Sequence, residues 1–131
     1  MRLFASILAA VAFLLPPSAD VQTQLVVRVE MSEFTFRPAT IHLTTGRPVR
    51  LVLVNRGQIA HQFETAYLRE LAMRIVGSAI YMEATGLELI RLDPGGTARL
   101  EFLPRKKGHF VFFCAIEGHR EAGMQGALEV R

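Results

Sequence analysis

Gly108-His-Phe-Val-Phe-Phe-Cys114-Ala-Ile-Glu-Gly-His119-Arg-Glu-Ala-Gly-Met124 is the stretch on which the reading of this chain turns. Its first half is apolar and aromatic, the composition of a strand with one buried face. Alternation puts Phe110, Phe112 and Cys114 on one side and His109, Val111 and Phe113 on the other. The thiol should therefore point inward, with the two Phe rings behind it. Past the strand end, four residues separate Cys114 from His119 and four more separate His119 from Met124. Gly118, Gly123 and Gly126 supply backbone freedom for the turns between them. A thiolate, an imidazole and a thioether thus gather in one short loop.

Working outward, short β-branched and apolar segments recur with turn residues between them. Residues 25–29, 34–36, 40–44, 49–54, 87–92, 97–102, 109–114 and 126–130 all read as strands. Asn55-Arg56-Gly57 and Asp93-Pro94-Gly95-Gly96 mark turns, where Pro fixes one φ and Gly permits a positive one. Short strands at this spacing predict an all-β Greek-key sandwich. The stretch 65–84 departs from the pattern. Leu68, Leu71, Ala72, Ile75 and Val76 recur at helical spacing, and Glu70 stands four residues before Arg74. This predicts a short helical insertion around 65–84: about three turns near 66–77, ending at Gly77. An extended piece, Ile80-Tyr81-Met82, follows, and the whole forms a lid over one end of the sandwich.

The 131 residues suit one domain. Residues 1–19 have a basic start, an apolar run from Leu3 to Leu15 and a small residue at Ala19, the pattern of a cleaved secretory signal peptide. Residues 20–131 then form the exported domain, and no other stretch is apolar enough to span a bilayer. A net charge of +3 without basic clusters excludes nucleic acid as the obvious partner. A single cysteine excludes an internal disulfide, a two-cysteine redox motif and a four-cysteine zinc or iron–sulfur site.

A second histidine, His61, follows the Asn55-Arg56-Gly57 turn and can return across a sandwich to the loop. Two imidazoles, a thiolate and a thioether (His61, Cys114, His119 and Met124) are the donors of a blue-copper site. Parity removes the other histidines: Ile41 and Leu43 claim the inner face beside His42, and Phe110 and Phe112 claim it beside His109. A nucleophilic Cys114 with His119 as base is the enzymatic alternative. An inward thiol without a metal stays protonated, so no enzyme is expected. Glu64 and Glu83 are expected to be solvated surface groups.

These residues resemble the cupredoxins, the family of plastocyanin and azurin. The resemblance runs through Phe34-Thr-Phe36-Arg-Pro38-Ala-Thr-Ile41, Gly46 to Gly57, His61, the Asp93 turn and Gly108 to Cys114. The Cys-x4-His-x4-Met spacing is similar to that of auracyanin and rusticyanin. It implies one type 1 copper ion with His61, Cys114 and His119 equatorial and Met124 axial, cycling between Cu(I) and Cu(II) in a monomeric periplasmic electron carrier. Its partner would be a cytochrome, oxidase or reductase, met transiently through a patch including Ile116, Ala122 and Met124. Two departures stand out. Gln62 occupies the place where many relatives carry a bracing Asn. The segment His61-Gln-Phe-Glu-Thr65 with Leu68-Arg-Glu70 resembles cupredoxins associated with iron permeases. The alternative it implies is a copper-binding, metal-homeostasis role in delivery, tolerance or partnership with a metal-transport component.

Overall fold

Strand β1 (Leu25–Ser32) alternates buried and half-buried side chains along its second half, and β4 (Val49–Asn55) buries most of its length. The two pair in parallel from Leu25–Val49 to Met31–Asn55. They form the middle of a sheet in a computed structural model that describes residues 22–77 and 81–131. The expected leader, residues 1–19, lies outside the described residues, as does Ile80.

The first sheet runs β2-β1-β4-β9-β6-β7, with β2 Thr35–Arg37, β9 Thr97–Phe102, β6 Ala72–Gly77 and β7 Tyr81–Thr85. The second runs β3-β11-β10-β5-β8, with β3 Thr40–Leu43, β11 Gln125–Val130, β10 Gly108–Phe113, β5 His61–Glu64 and β8 Leu89–Leu92. Besides β1–β4, the pair β3–β11 is parallel. The inner faces meet as a sandwich, with Val29, Met31, Leu51, Leu53 and Leu100 from one sheet against Ile41, Phe63, Phe112 and Leu128 from the other. Each such side chain contributes about 1.5–3 kcal/mol on leaving water. Phe36, Phe63 and Phe112 form an aromatic knot: Phe63 stacks on Phe112 at 5.0 Å and Phe36 meets Phe112 edge-on at 5.1 Å. Among the described residues no helix is long and apolar enough to cross a membrane.

The all-β sandwich expected from the sequence is present, but its insertion is built differently. The helical part is a five-residue 3-10 helix, Ala66–Glu70, started by Thr65, whose side chain accepts a hydrogen bond from the Tyr67 N–H. The expected three turns to Gly77 are replaced by β6, which pairs with β9 and with β7. Leu71, Met73 and Ile75 are buried while Ala72 and Arg74 are exposed, a period of two. Arg74 reaches Glu101 across the ladder at 3.7 Å instead of the Glu70 expected on a helix. The insertion thus widens the first sheet.

Candidate metal centre

At the end of β10 the loop is tied to itself at each donor position. The Cys114 N–H donates to the Met124 carbonyl at 3.1 Å, and the Met124 N–H donates to the His119 carbonyl at 3.0 Å. The His119 N–H in turn donates to the Ile116 carbonyl at 3.0 Å. Gly118 and Gly123 adopt φ of 81° and 102°, as their turns demand. Gly126 is needed for a different reason from the one expected: a Cβ there would strike the Phe112 ring and the Ala39 carbonyl. The start of β11, where the chain leaves the loop, therefore packs closely on the Phe112 ring of the aromatic knot.

His61 opens β5, and its approach is set by Asn55. That fully buried amide donates to the carbonyls of Ile59 (2.8 Å) and Leu92 (2.9 Å) and accepts from the Gly57 N–H (2.8 Å). The next residue, Gln62, donates its backbone N–H to Cys114 Sγ at 3.3 Å. A bond between the ligand loops is thus made by main chain, which is indifferent to Gln replacing Asn. The donor holds the sulfur in a fixed position at the end of β10.

The donor atoms of His61, Cys114 and His119 all lie within 4.8 Å of one another. Cys114 Sγ is 3.4 Å from His119 Nδ1, and the two imidazole rings are 5.2 Å apart. Met124 is 0% exposed, as are His61 and Cys114, and His119 is 7% exposed. Both ring nitrogens of His61 are buried without a hydrogen-bond partner among the described residues. Such orphaned groups are costly unless something binds them. Burial, and then the neighbouring His119, push His61 below the usual imidazole range, with Glu33 opposing; the neutral ring is the form that donates to a metal. Two imidazoles and a thiolate beside a buried thioether suit copper, whose soft character matches the sulfurs.

The sequence-predicted site residues His61, Cys114, His119 and Met124 are all buried at this end of the sandwich, and the first three share one cluster. His42 and His109 stand outside it, exposed on the outer face, each facing Glu129 (3.2 and 4.0 Å). Met124, expected in a surface patch, contributes no surface, because its thioether is turned inward. Sequence reasoning missed three residues around the cluster. Asn55 reads locally as a solvent-facing turn residue. Glu33 and Phe34 sit in the β1–β2 turn, yet Glu33 Oε1 lies 3.8 Å from His61 Nε2 and the Phe34 ring meets His119 edge-on at 5.1 Å. Phe34 was expected to open a strand over 34–36, whereas the strand begins at Thr35 and leaves Phe34 in the turn.

The family profile described as the Cupredoxin-like domain matches residues 5–129. The chain is 36% identical over 119 residues to the copper-resistant cuproprotein CopI of Rubrivivax gelatinosus, covering 88% of this chain and 72% of that protein. Among solved structures, auracyanin B superposes with a TM-score of 0.59 at 20% identity, covering 86% of this chain and 92% of that one. A multicopper metallo-oxidase from Campylobacter jejuni superposes with a TM-score of 0.65 at 15% identity, covering 88% of this chain. This chain spans 31% of that oxidase's length. At such identities the two structures speak for the fold alone.

Proposed function

The chain belongs to the cupredoxin family, and from that premise we propose that it is an exported one-electron carrier whose single copper ion is held by His61, Cys114, His119 and Met124. The observation that carries this reading is the closure of the donor set: three of the four side chains are 0% exposed and His119 is 7% exposed. Copper bound by such donors supplies a reversible Cu(II)/Cu(I) couple. The protein's part is to hold the donors still and dry. Hydrogen bonds through Cys114, His119 and Met124 lock the loop, and the Gln62 N–H steadies the sulfur. Donors fixed by the fold change little between oxidation states, which keeps the barrier to electron transfer low. Phe34 (40% exposed) and Ile59 (43% exposed), with Ile116 and Ala122, offer an apolar rim for a transient redox partner.

The second reading, copper tolerance or delivery, is favoured by the name of the CopI relative. Ligand burial argues against delivery, because an acceptor must displace one donor at a time from an accessible face. In either case the basic start and apolar run of residues 1–19, read as a leader cleaved after Ala19, would direct the chain to export.

The two readings separate on the copper-loaded protein. A carrier gives a reversible one-electron voltammetric wave and keeps its copper for hours against a Cu(I) chelator. An irreversible wave with copper lost to the chelator in minutes would replace the carrier by a copper-handling protein.

A further inference from the structure

The turn between β1 and β2 lays two consecutive side chains onto the two histidines from outside. Phe34 takes a φ of 61°, uncommon for a bulky residue, and its ring meets His119 edge-on. Glu33 sets Oε1 3.8 Å from His61 Nε2, and the same oxygen accepts the Gln58 N–H at 2.6 Å. The carboxylate is therefore anchored. Gly57 leaves it room: a Cβ there would lie 2.5 Å from Glu33 Oε1 and 2.9 Å from His61 Nε2. A half-exposed acid thus faces a fully buried imidazole across a gap that any larger residue at position 57 would close.

We propose that Glu33 is a positioning residue that acts through His61 to favour Cu(II) over Cu(I) and so lowers the reduction potential of the site. The inference rests on His61 being a copper ligand. Nε2 faces the carboxylate, which leaves Nδ1 as the nitrogen free to donate to a metal. A carboxylate behind a ligating imidazole raises its basicity and fixes its orientation. At 3.8 Å the contact is longer than a hydrogen bond, so the influence is that of a held charge. A fixed negative charge stabilises the doubly charged ion more than the singly charged one. Glu30, on the same hairpin, is a suitable control, because its carboxylate is engaged by Arg28 (3.2 Å) and Arg56 (3.6 Å).

The test loads the full mature chain, Glu33→Gln, Glu33→Asp and Glu30→Gln with copper, then records voltammetry and visible spectra on each. The amide of Glu33→Gln can still accept the Gln58 N–H, so the turn is kept while the charge is lost. Expected is a roughly tenfold shift toward Cu(I), an upward move of about 59 mV for a one-electron couple. The charge-transfer band should remain. Glu33→Asp should shift upward by less, and Glu30→Gln much less than Glu33→Gln. A Glu33→Gln potential that stays put, falls, or moves no more than that of Glu30→Gln overturns the proposal. Should Glu33→Gln not hold copper, an unmoved or lowered potential in Glu33→Asp overturns it. A wild-type protein without the band would sink the copper-ligand reading itself, whereas a normal band with an unmoved potential sinks only the role of Glu33.

Discussion

Met124 has no solvent-exposed surface, and its backbone links Cys114 to His119. Its side chain therefore acts inward, where a thioether is a weak, soft donor. Met124→Leu keeps the shape and apolar burial while removing the sulfur. The variant is expected to retain copper and to show a raised potential in voltammetry, by about 59 mV for each tenfold gain in preference for Cu(I). An unchanged potential would mean that the Met124 sulfur is not a donor to the copper. That Cys114, His119 and Met124 gather at one end of the sandwich was legible because one loop carries all three at a spacing that needs no distant information. His61 was legible by elimination, since strand parity left His42 and His109 outside. Asn55, Glu33 and Phe34 were not. Their importance lies in what they touch across the fold, such as the Leu92 carbonyl for Asn55, and no local pattern encodes that.

Among the elements, β6 shows where local reading fails. Leu68, Leu71, Ala72, Ile75 and Val76 satisfy a helical period, yet Leu71, Met73 and Ile75 satisfy a strand period equally well. The tie is broken by β9, whose Phe102, Glu101 and Leu100 pair with Met73, Arg74 and Ile75. A free sheet edge can recruit a segment that its own propensity leaves undecided. Strands such as β4 and β9 were legible because alternation and turn residues agree there. The β10–β11 hairpin makes a further demand at Gly126, where the Phe112 ring leaves no space for a Cβ. Gly126→Ala is expected to cost about 1–3 kcal/mol as the ring is pushed from the aromatic knot. The denaturation midpoint of the copper-free protein measures it. A loss below about 0.5 kcal/mol, the range of an ordinary surface change, would contradict the tight packing described.

For the molecule as a whole, the single cysteine ties composition, fold and chemistry together. With the export proposed above, one unpaired thiol is exposed to oxidation unless the sulfur is buried or engaged. Here it is both: Cys114 is fully buried, receives the Gln62 N–H and sits with His61 and His119 in one donor cluster. The donors come from neighbouring parts of the second sheet, β5 and the connection from β10 to β11, and the aromatic knot lies beneath them. Copper binding through the Cys114 thiolate is what the proposed function depends on. It is tested most directly by adding Cu(II) to the purified mature protein, recording the visible spectrum, and repeating the titration on Cys114→Ser. An intense sulfur-to-copper charge-transfer band that saturates at one copper per chain, and is absent from Cys114→Ser, is the predicted result. A colourless complex, or a band that survives in Cys114→Ser, would contradict the account.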